Sequence, residues 1–452
     1  MNARLDSGAE GEGTQPALGP GMPSRRKLSL SSQAEGDSPS ANSGRKDSSH
    51  SHDHNQPLVL SPQGRRRIRV LLTAVVVPLI LVTLFGLVWL WPSNVPQIGS
   101  QPFIEAGQQV EIVQVVDSSA CATRQLEQAQ AENLVCTRTE KEQKAVWVHI
   151  PPEVSSGLQI GHRVKVIKTE NVLPGTGTDQ SINLGQKDFY VYLDGERSTP
   201  LIALIIIYLV LVLAVALKRG LLAMIGLAVS VATIVLFMVP ALMSGQSPLL
   251  VTLVGVSAMI LASVYIAHGV SIKTTTALLG TYFGLAVTTL GALWATSALV
   301  LIGSGDDIQN LSAALPQVSL SALMTCGIMI AGIGALNDVT ITQASAVWEL
   351  HQSNPEASVW SVFLSAMRIG RDHIASTVYT LAFAYAGTAL PLLMLVMLVD
   401  RPWWGILSSG QVAEELARTL VASIGLVLAI PLTTLLGAAL APVAYSASDT
   451  DN

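Results

Sequence analysis

Gly327-Ile-Met-Ile-Ala-Gly332-Ile-Gly-Ala-Leu336-Asn337-Asp338-Val-Thr-Ile-Thr-Gln343-Ala-Ser-Ala-Val-Trp348-Glu-Leu350 decides how this chain folds. The apolar run over residues 320–336 is dense in small side chains, and at the helical rise it covers about 25 Å, most of a bilayer core. Asn337 and Asp338 then interrupt it side by side. A carboxylate near the end of such a span costs roughly a few kcal/mol unless it meets a partner or a water-filled cavity. Two readings stay open for Asp338. It is an ion or proton site, or it is an interfacial side chain that closes a span and reaches for water.

The rest of the chain sets the context. Of 452 residues 50% are hydrophobic and only 13% charged, and the mean hydropathy is +0.48. That excess is concentrated in long apolar runs, which demands a multispanning membrane protein. The net charge of −5 averages over unlike segments. Three cysteines exclude a disulfide scaffold and a four-cysteine zinc module.

Residues 1–64 are rich in Ser, Gly and Pro with scattered charge, a composition that does not offset the entropy of ordering, so a disordered cytoplasmic tail is expected. His50, His52, Asp53 and His54 alternate within it. A weak metal tract and a solvated low-complexity stretch both fit them. Arg65, Arg66, Arg67 and Arg69 precede an uncharged run to Trp91, so residues 65–91 form a first transmembrane anchor with its basic side in the cytoplasm.

Residues 92–199 are the one sizeable polar region, placed outside the cytoplasm by that anchor. Short β-type runs at 110–116, 145–150, 162–168 and 188–193 alternate with turns, which predicts a small barrel or sandwich of the oligonucleotide-binding type in shape only. No aromatic ladder or basic stripe points to nucleic acid. Cys121 and Cys136 both fall here. An oxidising exterior allows them to pair around a helix expected over 123–133, and two unpaired thiols are the alternative. Cys326 reads as a small packing residue inside a span.

From Pro200 the apolar runs follow closely, over 201–217, 221–243, 249–267, 274–302, 320–336, 374–399 and 419–440. Lys218-Arg219 marks an inner turn and residues 244–248 an outer one. Gly280 and Gly284 form a close-packing signature. Asp306 and Asp307 fall in an outer loop, as do residues 400–415. Asn354-Pro355-Glu356 looks like the start of an amphipathic helix lying on the inner surface. Its apolar face is Val359, Val362, Phe363, Ala366 and Ile369. Pro431 predicts a kink. The expected architecture is a membrane all-α bundle of about eight spans with one small extracytoplasmic β-barrel-like domain. Seven spans occupy 200–443, a short tail follows at 444–452, and both termini are cytoplasmic.

Asp338 ends an inward span, and Arg368 and Arg371 begin an outward one. Acid and base are therefore expected near the inner face. An Asp beside a guanidinium stays ionised, whereas one alone in an apolar bundle holds its proton. A group moving between those conditions suits a gradient-coupled carrier, and Asp372 and His373 can extend the relay. A static Asp–Arg pair orienting two helices is the alternative. Asn337 reads as a helix-to-helix hydrogen bonder, and Glu349 and His351 as solvated groups. Dispersed histidines and the lack of His-Glu-x-x-His or Gly-x-Ser-x-Gly argue against an enzyme, and no cofactor or metal is expected.

Several segments together resemble the YibE/F-like family of bacterial multispanning membrane proteins. They are Lys218-Arg219-Gly220-Leu221, Phe237-Met238-Val239-Pro240-Ala241-Leu242, Lys273-Thr-Thr-Thr-Ala277-Leu-Leu-Gly280-Thr281, residues 332–350, Ile369-Gly370-Arg371-Asp372-His373-Ile374 and Leu381-Ala382-Phe383-Ala384-Tyr385-Ala386-Gly387. The resemblance spans roughly residues 100–445. It implies a multi-pass cell-membrane protein and names no activity. Asn337 and His373 stand where the family pattern has apolar or small residues. Leu336-Asn337-Asp338-Val339-Thr340, followed by an amphipathic helix and a basic residue opening the next span, is also similar to SecF-type export subunits, which are proton-driven. The expected partners are the lipid bilayer, an unknown small solute or ion, and envelope proteins reaching residues 92–199. A permease coupled to an ion or proton gradient is the first functional expectation. An envelope accessory protein acting through the external domain is the second.

Overall fold

The computed structural model describes residues 62–93, 108–121, 133–170, 188–303, 311, 315–400 and 402–445. The His50–His54 tract and nearly all of the expected tail, Asp306 and Asp307, all but the last residue of the helix expected over 123–133, and most of the 444–452 tail lie outside the described residues.

In the N-terminal half, β1 (Gln108–Val115), β2 (Leu134–Thr139), β3 (Ala145–His149), β4 (Arg163–Glu170) and β5 (Asp188–Gly195) close into a barrel in the order β1-β2-β3-β5-β4. β1 pairs antiparallel with both β2 and β4, while β3 meets β5 in parallel at His149 and Val191. A single helical turn, α2 (Pro152–Ser155), lies between β3 and β4. Alternation aims Val113, Val146, Val148, Val164 and Val166 into the centre, all fully or almost fully buried. Five-stranded closure agrees with the oligonucleotide-binding-type shape read from the sequence. β2 is the strand that the sequence pattern concealed. Thr137 and Thr139 are buried there, their hydroxyls donating to Val146 O at 3.2 Å and Lys144 O at 3.3 Å. A disulfide joins Cys121 to Cys136 with the Cα atoms 6.0 Å apart, fastening the chain after β1 to β2. The barrel surface is charge-paired: Arg163 with Glu140 at 2.6 Å, Lys165 with Glu196 at 3.0 Å, and Lys168 with Asp188 at 3.3 Å.

The remainder is helical: α1 (Pro62–Trp89), α3 (Ser198–Ala232), α4 (Val239–Met243), α5 (Pro248–His268), α6 (Ile272–Ala298), α7 (Leu320–Ala331), α8 (Ile333–Ser353), α9 (Val359–Thr388), α10 (Leu390–Met397), α11 (Trp403–Leu407) and α12 (Gly410–Tyr445). A π-helical turn, Thr233–Met238, joins α3 to α4. Among the described residues five stretches are long and apolar enough to cross a membrane: Ser198–Met243, Pro248–His268, Ile272–Ala298, Leu320–Ser353 and Gly410–Pro442. Val359–Thr388 with Leu390–Met397, bent by 63°, makes a sixth if it counts as one crossing, and Thr73–Trp89 is a shorter apolar helix.

α3 is broken at Leu217, where the backbone leaves helical geometry at φ 48° and ψ −128°. A Cβ on Gly220 would stand 2.7 Å from the carbonyl oxygen of Val212, eight residues back. In an unbroken helix those positions are about 12 Å apart, so the chain bends sharply at the Lys218-Arg219 turn.

α12 packs along α6, α8 and α9, and α6 also lies along α8. α5 packs against α1, α3 and α7. Gly280 and Gly284 permit close approach of these helices. The space of a Cβ on Gly280 is taken by Thr433 of α12, and that on Gly284 by Leu336 of α8 and Ala429 of α12.

Three expectations change. Asn337 and Asp338 do not end the central helix, which bends at Gly332 and continues through them to Ser353. Asn337 is held across the helix interface, so nothing there competes with the helical backbone. The helix expected to open at Asn354-Pro355-Glu356 starts later, at Val359, and is continuous with the segment that follows it. Asn354 closes α8, Ser358 caps α9 by accepting from Ser361 N at 3.2 Å, and α9 then runs unbroken to Thr388. His351 is buried rather than solvated, because α8 keeps packing to its end, where Trp348 and Ala441 form a small cluster.

Candidate functional site

Around α8 four helices exchange polar contacts that the apolar runs do not announce. Thr340 and Thr281 bring their hydroxyls within 2.7 Å across α8 and α6. One turn on, Gln343 is fully buried, and its amide nitrogen donates to Ala366 O of α9 at 2.9 Å and to Thr434 Oγ1 of α12 at 2.8 Å. Because Ala366 O can only accept, the amide is held with its NH2 in that direction. Among the described residues its Oε1 then has no hydrogen-bond donor. Gly370 makes this junction possible, since a Cβ there would press on Ile430 and on the Gln343 amide. In the opposite direction, Thr325 of α7 donates to Thr296 of α6 at 3.1 Å. Together these form a polar seam along α6, α7, α8, α9 and α12.

Asn337 leaves the seam and donates to Ser263 Oγ of α5 at 2.9 Å, while its buried Oδ1 has no donor among the described residues. The next residue, Asp338, is exposed. With Gly334, Thr342, Ser345 and Glu349 it shares one helical face, in steps of three or four residues, and that face is the least covered part of α8. α5 borders it on the Asn337 side and α9 on the Ala335 side, where Ala335 clusters with Met367 and Ile374. The outward face of α8 is thus the floor of a groove between α5 and α9. His268, ending α5, is within electrostatic reach of Asp338, Lys273 and Arg219.

The other expected site residues are dispersed around α9. His373 is half-buried, and Arg368, Arg371 and Asp372 are exposed. Arg368 donates to Ser365 Oγ at 3.3 Å on its own helix. Among the described residues no ion pair joins Asp338 to Arg368 or Arg371. By helical rotation Arg371 borders the α8 groove, about a turn from Asp338 along the axis, whereas Arg368 and Asp372 face away from it. Among the described residues no group of three or more His, Cys, Asp or Glu side chains is placed to hold a metal ion.

Sequence reasoning passed over Gln343, Thr281, Thr340 and Thr434. The available signal was a seven-residue spacing on α6, where Thr274, Thr281 and Thr288 are all buried. It also passed over charges at the start of α12. Glu414 is buried and accepts from Gly303 N at 3.1 Å, and Glu415 pairs with Arg418 at 3.0 Å.

The helices that build this seam are those recognised by the model of the YibE/F-like protein family, which matches residues 204–442, more than half of the chain. The chain belongs to the YibE/F-like family. No curated protein and no solved structure matches it. The match begins beyond the barrel, so the family assignment rests on the helical part, and the groove and seam lie wholly within the YibE/F-like segment. A multi-pass membrane protein follows from that membership together with the long apolar helices.

Proposed function

We propose that this YibE/F-like protein is a permease coupled to an ion or proton gradient, with Asp338 as the group that takes up the coupling ion. One observation carries it: within the apolar stretch Leu320–Ser353, Asp338 is exposed on a polar face of a helix whose other faces are packed. A carboxylate on such a helix is expensive in lipid and is stable where water or a solute reaches it. Arg371 at the groove's edge supplies a charge that responds to its protonation, and His268 lies within electrostatic reach of it. Asn337 toward α5 and Gln343 toward α9 and α12 each carry a buried carbonyl oxygen on other sides of the same helix. The chemistry is binding and translocation rather than bond making.

In the proposed topology the bent pair is one crossing, the break at Leu217 is the turn between two, and α1 is another, which makes eight with both termini in the cytoplasm. The protein resides in the cytoplasmic membrane, and its barrel is outside, where envelope partners reach it. The second reading, an accessory protein acting through that barrel, is favoured by the closed, disulfide-fastened domain lying outside the YibE/F-like match.

Flux across a pH or cation gradient in proteoliposomes tests the first reading. Asp338→Asn should lose flux while inserting and accumulating normally. If it retains wild-type flux, the coupling role is wrong; if it fails to accumulate, Asp338 is structural. Removing residues 96–199 should leave flux intact in a permease and abolish function in an accessory protein.

A further inference from the structure

α9 has two unlike sides. Val362, Ala366, Gly370 and Leu381 are buried against the bundle. On the opposite side Ser361, Ser365, Arg368, Asp372, Ser376, Tyr379 and Phe383 recur every three or four residues along one outward face. Among the described residues no ion pair satisfies its charges. Arg368 donates to Ser365 Oγ on its own helix, and among the described residues no side chain pairs with Asp372. The level of this pair in the bundle is set by Gly370, which meets Gln343 and Ile430. That is well inside α8 and α12, so lipid is a poor neighbour for both charges.

We propose that this face of α9 is the contact between two copies of this chain, related by a two-fold axis along the membrane normal. The inference rests on the membrane-embedded placement of α9 and is independent of transport. The occupant follows from charge complementarity. One helix face carries a guanidinium and, one turn away, a carboxylate. A two-fold axis therefore brings each Arg368 toward Asp372 of the partner subunit, making two equivalent pairs from one sequence. Small hydroxyl residues on both sides of the charges, Ser361, Ser365 and Ser376, permit close approach and add hydrogen bonds across the interface. The stacked Tyr379 and Phe383, ring centroids 6.2 Å apart, extend the same face with apolar area. The first arm of α3 shows the contrast. It is exposed over nearly its whole surface, but its side chains are almost all large and apolar, as lipid contact requires.

Cysteine cross-linking of the full-length chain in native membranes tests this, in a Cys326→Ala background with Cys121 and Cys136 still joined. Ser361→Cys or Ser376→Cys should give a dimer-sized product on mild oxidation, and Val215→Cys on α3 should not. Arg368→Asp and Asp372→Arg should each lower the cross-linked fraction severalfold, and the double swap should restore it. The proposal fails if both serine positions leave a well-inserted chain monomeric, if Val215→Cys links equally well, or if the product contains only a different protein. It fails too if the swap is no better than the single variants. Should the charge variants not accumulate, the serine positions decide alone. Flux is not among the readouts, so loss of the permease reading leaves this result standing.

Discussion

Gln343 ties three helices together through one amide, and the cost of losing it is bounded by what hydrogen bonds between membrane helices are worth. Gln343→Leu keeps most of the volume and removes both donors, so the expected loss is about 1–2 kcal/mol. The check is thermal unfolding in a fixed detergent; an unchanged midpoint would show that the amide contributes nothing. In the barrel, Glu196 is the residue whose ionisation matters. The Ser198 hydroxyl and backbone N–H and the Lys165 ammonium bring its carboxyl down from 4.5 to about 2, against a smaller opposing effect of burial. A depressed folded value means that its stabilisation is complete above the unfolded pKa and declines as pH falls from 4.5 toward about 2. Glu196→Gln should flatten that part of the acid-unfolding profile, and a profile that keeps its slope would refute the assignment. Chemical type alone did not locate either residue. Gln343 looks like one polar letter in an apolar helix, and Glu196 like any surface acid.

Among the elements, α6 shows how close packing follows from what is missing. Thr433 takes the space that a side chain on Gly280 would need. Gly280→Val must push α12 away or force both side chains off their preferred rotamers, a cost of roughly 1–3 kcal/mol or more. Reduced accumulation with a lowered melting temperature is the expected result, and unaltered stability would mean that α6 and α12 separate freely. The Gly280–Gly284 spacing was readable beforehand because small residues three or four apart have one common use in membrane helices. The end of the central helix was not. Asn337 and Asp338 look like an interruption by hydropathy, yet the helix passes through them because Ser263 receives the Asn337 amide and the groove receives Asp338. The same failure hid β2, whose buried threonines satisfy their hydroxyls on neighbouring backbone.

For the whole molecule, the break at Leu217 decides the topology. A continuous helix over Ser198–Met243 would be about 70 Å long, more than twice a bilayer core. If the chain turns back there, the barrel and the end of α8 lie on opposite sides of the membrane; if it crosses once, they lie on the same side. Single cysteines at Gln143 and Ser353, probed with an impermeant reagent, should therefore label from opposite faces. Labelling from one face would remove both the eight-span topology and the inner placement of Lys218-Arg219. Residue order alone determined that this chain lives in lipid, roughly where its apolar runs begin and end, and that a β domain separates the first from the second. Those properties depend on summed hydropathy and short-range alternation, which neighbouring residues carry between them. Tertiary structure alone decided which polar side chains meet. Thr281 finds Thr340 across 59 residues, Asn337 finds Ser263 across 74, and Gln343 finds Thr434 across 91. Such pairings depend on how each helix is rotated about its axis and on which distant helix lies beside it, and no local pattern encodes either.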